Sequence, residues 1–332
     1  MSAIEVLAPG LLTTVQDLGR EGFGPMGVSP SGAADPIALR IGNRLVGNAE
    51  GAAGLEMTLL GGSFLFPEPA VAALTGSDFG ATLDNAAIPP WTSFAVKAGL
   101  ALKLGPTRSG ARCYLCVRGG IAVEPFLGSA STHLLSGLGG HQGRALRKGD
   151  VLKIGNAPQT GQQRTGKRAC SAANTHESHR ARKVAPKALA HLGPRKVLRV
   201  TPGPQSDWFP KAAKKIFYSS AYRVYEEANR MGLRLQGPAI PEGAHGGMIS
   251  EGVSLGAIQI AAGGMPIILF VEQQTTGGYA KMANVIAADL SSLGQLRPRD
   301  EVRFELVEFK SAPKLLIEQE KLLASDDLVV ET

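Results

Sequence analysis

The sequence predicts a mainly β protein with a few short helices, arranged as two barrel-like or sandwich domains. Glycine and proline number 42 and 21 among 332 residues, while aromatic residues make up only 5%, and this composition favours many turns. From Leu55 to Ile154, short apolar runs alternate with glycine, proline, aspartate and asparagine, a pattern typical of a barrel or sandwich. A chain of this length fits two domains.

The clearest strand patterns lie in the first half of the chain: Ser63–Phe66, Ala70–Leu74, Ser93–Val96, Ala101–Leu104 and Arg112–Val117. A helix is predicted after Asp35, because a carboxylate at the N-cap followed by Pro36 is a typical helix start, and Gly47 ends it. Ser31 precedes this helix and Asn43 lies inside it, where asparagine is mildly unfavourable. Both are therefore candidate ligand-binding residues.

One phrase recurs along the chain. Val96–Gly105 resembles Leu146–Gly155, and Leu296–Phe304 is a looser third copy. The spacing between copies is irregular, which excludes a solenoid. The recurrence instead predicts the same hairpin in two related barrels.

The basic charge is concentrated in one segment. Residues 156–196 hold nine Lys/Arg and the single acid Glu177, which gives +8, so the rest of the chain sums to −1 of the net +7. We therefore expect no nucleic-acid partner, since the charge does not mark a binding face. The segment is polar and is interpreted as a linker. The predicted organisation is a first domain at 1–155, the linker at 156–195, a second domain at 196–310 and a helical tail at 311–332.

Nothing in the sequence predicts a membrane partner. No apolar run is long enough to cross a bilayer, and residues 1–6 lack the basic start and apolar core of a secretory signal. We expect a cytoplasmic location.

Two motifs that suggest chemistry are rejected on context. Cys113 and Cys116 form a C-x-x-C in a strand-like run, not at a helix start, and are interpreted as two core thiols. Residues 161–168 match a phosphate loop except at Arg168, where Ser or Thr is required, and no strand precedes them.

The loop 128–144 is rich in hydroxyls and glycines and contains the candidate residues Ser131 and Thr132. It could hold an anion through its N–H groups, or it could be a flexible surface loop; composition does not separate the two. His133 and His141 lack helical metal-ligand spacing, and no metal site is predicted.

The stretch 272–284 is the strongest candidate site in the chain. It follows the apolar run 265–271, which reads as a buried strand, and contains the candidate residues Gln274, Thr275, Thr276, Gly277, Gly278, Tyr279 and Lys281. Adjacent glycines allow close backbone approach, and the other groups donate hydrogen bonds to oxygen. The alternative is a hairpin turn whose polar groups face water. In an extended chain, Tyr279 and Lys281 would emerge on one face, with Lys281 exposed to solvent.

A second candidate pair precedes this stretch. Arg230 and Arg234 are an even number of residues apart and would share one face of a strand. Two guanidinium groups on one face favour a carboxylate or phosphate. The alternative is that each arginine is solvated and pairs with a surface acid.

Nine stretches of the chain together form a recognisable pattern: Thr14–Arg20, Ser31–Asp35, Leu45–Asn48, Gly119–Ile121, Gly128–Thr132, Arg230–Gly237, Gly256–Gln259, Gln274–Tyr279 and Asp289–Leu290. In this order they resemble the biotin-dependent carboxyltransferase family, which includes the carboxyltransferase part of urea carboxylase, allophanate hydrolase subunit 2 and the C subunit of bacterial 5-oxoprolinase. The family usually has proline where Ala280 stands, and its linker is shorter and less basic.

The resemblance implies two cyclophilin-like β-barrel domains and a chemistry of amides or ureas. It implies catalytic roles for Lys281, Tyr279 and Gln274. Substrate-binding roles would fall on the remaining candidates: Ser31, Asn43, Ser131, Thr132, Arg230, Arg234, Gln259, Thr275, Thr276, Gly277 and Gly278. These groups would stabilise a developing oxyanion and orient an amide. The implied partner is a protein like allophanate hydrolase subunit 1, which corresponds to a 5-oxoprolinase B-type protein.

Three functions remain open at this point. The first is a subunit of ATP-dependent 5-oxoprolinase, which converts 5-oxoproline to glutamate with a third, lactam-hydrolysing subunit; ATP would act through the complex. The second is a carboxyltransferase subunit that acts on urea or a related amide, using biotin carried by another protein, since this chain has no Ala-Met-Lys-Met sequence. The third is a regulatory binding protein that antagonises a histidine-kinase inhibitor. The first is favoured because the chain carries no biotin machinery.

Overall fold

The computed structural model describes residues 2–156, 179–241 and 248–331. Its strands, in chain order, are β1 Ala3–Ala8, β2 Leu12–Gln16, β3 Gly54–Thr58, β4 Ser63–Phe66, β5 Ala70–Gly76, β6 Thr82–Leu83, β7 Ala86–Ala87, β8 Thr92–Val96, β9 Leu100–Lys103, β10 Arg112–Val117, β11 Ile121–Ala122, β12 Val151–Ile154, β13 Arg182–Val184, β14 Val197–Pro202, β15 Tyr222–Val224, β16 Gly232–Gln236, β17 Glu251–Gly252, β18 Ala257–Ile260, β19 Pro266–Leu269, β20 Thr276–Gly277, β21 Lys281–Val285, β22 Glu301–Leu306 and β23 Val329–Glu331. The helices are α1 Pro36–Val46, α2 Pro186–Leu192, α3 Lys211–Ser219, α4 Leu290–Leu293 and α5 Ala312–Ala324. The predicted mainly β class with few helices is confirmed.

The chain divides into two compact units. The first unit comprises residues 1–18, 37–189 and 326–332, and the second comprises 19–36 and 190–325. None of the described helices is both long enough and apolar enough to cross a membrane.

The first unit contains two seven-stranded sheets, ordered β11-β12-β1-β4-β9-β6-β7 and β2-β3-β10-β5-β8-β13-β23. Alternate residues of a strand point to the same face, and on β1 the residues Ile4 and Val6 are fully buried. They belong to one core that side chains of both sheets form together. Strand β10 lies between β3 and β5, and all six of its residues are buried.

The two cysteines of β10 are core thiols, as predicted. Cys113 packs in the core, whereas the Cys116 thiol contacts Leu39 O of α1 at 3.7 Å. Burial raises the pKa of Cys116 to about 12 and also raises that of Cys113. Neither thiol is poised for redox chemistry.

The second unit contains a closed barrel with the strand order β14-β21-β18-β19-β16-β15-β22. Strand β14 runs parallel to β22, and the other pairs are antiparallel. Helix α3 closes the core: Phe217 stacks on Phe304 of β22 with ring centroids 4.5 Å apart. A separate two-stranded ladder, β17 with β20, carries part of the candidate stretch.

The recurring phrase is a turn that leads into a strand. Gly99, Gly149 and Arg299 occupy the same place in its three copies and have φ of 78°, 88° and 73°. Each turn is closed by a backbone bond from the next residue, for example Asp150 N to Arg147 O at 3.1 Å. The expected hairpin is wrong, because β8 and β9, which flank the first copy, lie in different sheets and do not pair. The element that recurs is a turn with a left-handed third residue, as in a type II turn.

Most of the predicted linker lies outside the described residues. The phosphate-loop-like residues 161–168 fall in this part. Its described end is structured: β13 pairs with β8 and β23, and α2 follows. The predicted helical tail consists of α5 and then β23, which pairs with β13 in the first unit.

Candidate functional site

A cleft on the second unit brings together four of the predicted site residues. This amide cleft has a volume of about 210 Å³ and is lined by Asn229, Met231, Gly232, Arg234, Gln259, Ala261, Ile267, Leu269, Gln274 and Tyr279. Its size suits a ligand smaller than a typical drug molecule.

Strand register places three cleft residues in one row across the barrel. Ile267 of β19 is opposite Arg234 of β16 on one side and opposite Gln259 of β18 on the other. Residues directly opposite each other in neighbouring strands project on the same face. Arg234 is exposed because β16 alternates, with Leu233 and Leu235 in the core. The row therefore joins a guanidinium, an apolar side chain and an amide.

Gln259 is the most unusual member of this row. It is only 2% exposed, and its Nε2 has no hydrogen-bond partner among the described residues. A buried donor without an acceptor costs about 1–3 kcal/mol. The register between β18 and β21 shifts at Ile258/Gln259, and such bulges re-aim side chains beside functional sites. The arrangement leaves one buried amide donor for a ligand acceptor.

Gly277 permits a second amide to approach the first. A Cβ atom at Gly277 would lie 2.6 Å from Gln259 Nε2 and 2.9 Å from Gln274 Nε2. A side chain at this position would therefore displace one or both amides. The amides of Gln259 and Gln274 thus converge beside Gly277, and the absence of a side chain there leaves room for both in their present positions.

Lys281 lines a different cavity from Tyr279. This hydroxyl pocket, of about 680 Å³, is lined by Gly24, Pro25, Gly27, Pro204, Gly252, Val253, Ser254, Thr275, Thr276, Lys281 and Asn284. The expectation that Tyr279 and Lys281 share an exposed face is wrong. Tyr279 lies in the turn before β21 and is 44% exposed, whereas Lys281 begins that strand and is 2% exposed.

Lys281 is held by a small polar network. Its Nζ lies 2.5 Å from Glu251 Oε1, and Gln205 Nε2 donates to the same oxygen at 3.0 Å. The backbone N–H of Lys281 donates to Gln205 Oε1 at 3.2 Å. The pKa of Glu251 is lowered, first because Lys281 donates to it and second because Gln205 does. Glu251 stays anionic at neutral pH and neutralises the buried ammonium.

Arg230 is not a cleft residue, which corrects the predicted shared face with Arg234. It precedes β16 and is 5% exposed. Its Nε lies 2.5 Å from Glu272 Oε1, and its Nη2 donates to Gly32 O at 2.7 Å. This buried pair joins two segments of the second unit and has a structural role. Ser31 is also buried, with φ of 57°, and its N–H donates to Val271 O at 2.9 Å.

Ser131 and Thr132 belong to the first unit, where their hydroxyls are occupied. Ser131 Oγ donates to Asp17 Oδ1 at 2.6 Å, and Thr132 Oγ1 donates to Val15 O at 3.0 Å. Asp17 also accepts from Ser129 Oγ and Ala130 N. The loop is thus neither an anion cradle nor flexible surface at these positions, but a buried segment bound to one carboxylate.

Asn43 likewise uses its amide inside the first unit. Its Nδ2 donates to Glu50 O at 3.1 Å and to Ala52 O at 2.7 Å, and its Oδ1 accepts from Asn48 Nδ2. It is fully buried, so the expectation that it faces a ligand is wrong. Asparagine is tolerated in α1 because it binds the chain that follows the helix.

Sequence reasoning missed several lining residues. Asn229 lies directly before the matched stretch that begins at Arg230, so its position was a usable signal. Asn284 lies within the candidate stretch 272–284 but was not singled out there. Glu251 and Gln205 carried no signal, because segments distant in sequence bring them to Lys281. The described residues contain no group of three or more His, Cys, Asp or Glu placed to hold a metal ion.

A family model described as "Carboxyltransferase domain, subdomain A and B" matches residues 26–306. The chain belongs to this carboxyltransferase family. Among its similar members, the 5-oxoprolinase C subunit of Escherichia coli is 35% identical over 320 residues, which cover 96% of each chain. Urea amidolyase of Saccharomyces cerevisiae is 35% identical over 98% of this chain, which spans only 18% of that protein.

Solved structures show the same family relationship. The crystal structure of the K. lactis urea amidolyase superposes with a TM-score of 0.85 at 34% identity, covering 99% of this chain and 21% of that one. The Kluyveromyces lactis urea carboxylase gives the same TM-score and identity over 30% of its chain. The predicted family resemblance is confirmed.

Proposed function

We propose that this carboxyltransferase-family protein is the C subunit of an ATP-dependent 5-oxoprolinase, and that the amide cleft binds the lactam. The observation that carries the proposal is the buried, unpartnered Nε2 of Gln259 in a cleft that Arg234 also lines. The relatives named as 5-oxoprolinase C subunits match this chain nearly end to end, at 96% and 94% of their length.

The groups in the cleft complement those of 5-oxoproline. The substrate is a five-membered cyclic amide that carries a carboxylate. Gln259 Nε2 would donate to the lactam oxygen, and the Gln274 amide, beside it at Gly277, can accept from the lactam N–H. Arg234 would bind the carboxylate, and Ile267, between the two, would contact the ring.

These contacts also suit the chemistry of activation. Phosphorylation of the lactam oxygen by ATP needs that oxygen held in one direction while charge develops on it. A fixed amide donor performs this role without reorganisation, and such donors are worth about 10²–10³ in turnover. Tyr279, exposed at the cleft, supplies a further hydroxyl. Partner subunits, one of the 5-oxoprolinase B type and one that hydrolyses the activated lactam, would complete the reaction.

Gln259→Met tests the role of the amide. We expect it to lower kcat/KM of the assembled complex for 5-oxoproline by about 10²-fold, because the oxygen loses its buried donor. The matched control is Gln236→Met, an exposed glutamine of β16 that does not line the cleft. Equal kcat/KM for the two variants would refute the proposal.

Arg234→Met separates the lactam from a urea. It should weaken binding of 5-oxoproline about tenfold or more, and leave binding of 2-pyrrolidinone, the lactam without a carboxylate, unchanged. Titration calorimetry on the chain measures both. An equal loss for both ligands, or tighter binding of urea than of either lactam, would favour the urea-directed alternative.

A further inference from the structure

The hydroxyl pocket lies outside the amide cleft but is built from the same stretch of chain. Gln274 and Tyr279 line the cleft, whereas Thr275, Thr276 and Lys281 line the pocket. Residues 274–281 thus supply groups to two cavities of the second unit. The pocket is about three times as large, at 680 Å³ against 210 Å³.

The pocket lining is rich in hydrogen-bond donors. Ser254, Thr275 and Thr276 contribute hydroxyls, Asn284 contributes an amide, and Lys281 contributes an ammonium. Added Cβ atoms at Gly24, Gly27 and Gly252 would meet nothing within 4 Å, so the backbone there is open to a ligand. Such a lining suits a ligand group with several anionic oxygens.

The charge of Lys281 is already neutralised by Glu251, a residue whose side chain is partly exposed. Glu251 Oε1 lies 2.5 Å from Lys281 Nζ, but the Glu251 side chain is 45% exposed while that of Lys281 is 3% exposed. Glu251 can move into water when another anion takes its place, whereas Lys281 is held in the pocket wall. The carboxylate therefore stands where an external anion would bind.

We propose that the hydroxyl pocket binds a phosphate-bearing ligand, and that this ligand displaces Glu251 from Lys281. A carboxylate ligand would exchange one carboxylate for another with no gain. A phosphoryl group carries a charge of about −1.5 to −2 and three acceptor oxygens, so it gains both charge and hydrogen bonds over Glu251. That the ligand is a nucleoside triphosphate rests on the proposed function; phosphate binding itself does not.

Two substitutions with opposite expected effects test this. Glu251→Gln removes the competing carboxylate and should tighten binding of tripolyphosphate to the chain about fivefold, on the scale of one partly exposed ion pair. Lys281→Met removes the ammonium and should abolish detectable binding. Glu226→Gln is the matched control, since Glu226 pairs with Arg299 at an exposed position and does not line the pocket.

Calorimetric titrations with inorganic phosphate, tripolyphosphate, ATP and acetate distinguish the ligand classes. We expect tripolyphosphate and ATP to bind and acetate not to bind. Absence of phosphate and polyphosphate binding in every variant, an unchanged or weaker affinity in Glu251→Gln, or equal gains in Glu251→Gln and Glu226→Gln would overturn the proposal. If Lys281→Met does not fold, the affinity of Glu251→Gln for tripolyphosphate, compared with that of Glu226→Gln, tests the proposal by itself. A parallel 5-oxoproline titration reports on the amide cleft, so failure of that site is seen separately.

Discussion

Gln259 is a residue at which stability and binding oppose each other. Its Nε2 is buried without a partner among the described residues, so the free protein carries a desolvation penalty that a ligand would relieve. Gln259→Met keeps the shape and removes the unpaired donor. We therefore predict that the free energy of unfolding rises by about 1 kcal/mol in Gln259→Met. Urea unfolding of the full chain measures it.

The control for this prediction is another buried glutamine. Gln16 Nε2 donates to Thr14 Oγ1 at 3.0 Å and to Thr132 O at 3.1 Å, although its Oε1 has no partner among the described residues. Because both donated bonds are lost, Gln16→Met should lower the free energy of unfolding. Equal destabilisation by both substitutions would mean that Gln259 has a structural partner in the folded protein.

Lys281 was expected at the surface but is a structural residue as well as a pocket residue. Its side chain is 3% exposed and pairs with Glu251. Lys281→Ala removes this buried stem, and we predict a loss of about 2 kcal/mol in the free energy of unfolding. Tyr279→Phe, at an exposed position, should change stability by less than about 0.5 kcal/mol. Similar unfolding curves for the two variants would contradict the burial of Lys281.

The pH dependence of this pair follows from the lowered pKa of Glu251. Because the folded-state pKa lies below the ordinary value of 4.5, the pair stabilises the fold fully above that value. The contribution is lost as the pH falls through the lowered pKa. The stability difference between the wild type and Glu251→Gln should therefore be largest near neutral pH and shrink in acid. A difference that grew in acid would exclude an anionic Glu251.

At the scale of elements, the recurring turn gives a matched pair of substitutions. Gly149 has φ of 88° and open space around an added Cβ, so Gly149→Ala suffers only the cost of the left-handed backbone. We predict a loss of about 1 kcal/mol in the free energy of unfolding.

Arg299 adopts the same conformation with a side chain, at φ of 73°. Arg299→Gly relieves that strain and loses an exposed ion pair with Glu226, so its stability should stay level or rise. Melting curves of both variants check this.

The loop that carries Ser131 shows what sequence could and could not predict. Strands β4 and β10 were predicted to the residue, since alternation and turn residues are local signals. The hydroxyls of Ser129 and Ser131 looked like a ligand site because their partner, Asp17, lies more than 110 residues away. Arg230 was misplaced for the same reason, as Glu272 is 42 residues distant. The residue types that line the cleft were predictable from sequence. The face of the sheet on which each side chain lies, and the residue it binds, depend on the pairing register of strands that are distant in sequence.

At the scale of the whole molecule, the C-terminal residues complete a sheet begun far earlier in the chain. Strand β23 pairs with β13, with Arg182 opposite Glu331, and Leu328 just before it is fully buried. Removing residues 326–332 would expose the edge of β13 and leave a cavity where the Leu328 side chain packs. We predict a loss of about 2–4 kcal/mol in the free energy of unfolding. Leu328→Ala in the full chain separates the packing contribution from strand pairing. An unchanged melting temperature after truncation would show that the first unit does not need β23.

The last prediction concerns assembly. The chain is similar over nearly its whole length to proteins named as one subunit of 5-oxoprolinase. In the proposed function, its amide cleft binds and orients the lactam, and other subunits hydrolyse the activated lactam. We therefore predict that the purified chain unfolds cooperatively and binds 5-oxoproline, yet shows no ATP-dependent turnover. Co-expression with a 5-oxoprolinase B-type protein should give a stable complex by size-exclusion chromatography, and addition of the lactam-hydrolysing subunit should restore glutamate formation. Full turnover by the purified chain alone would contradict the division of labour on which the proposed function depends.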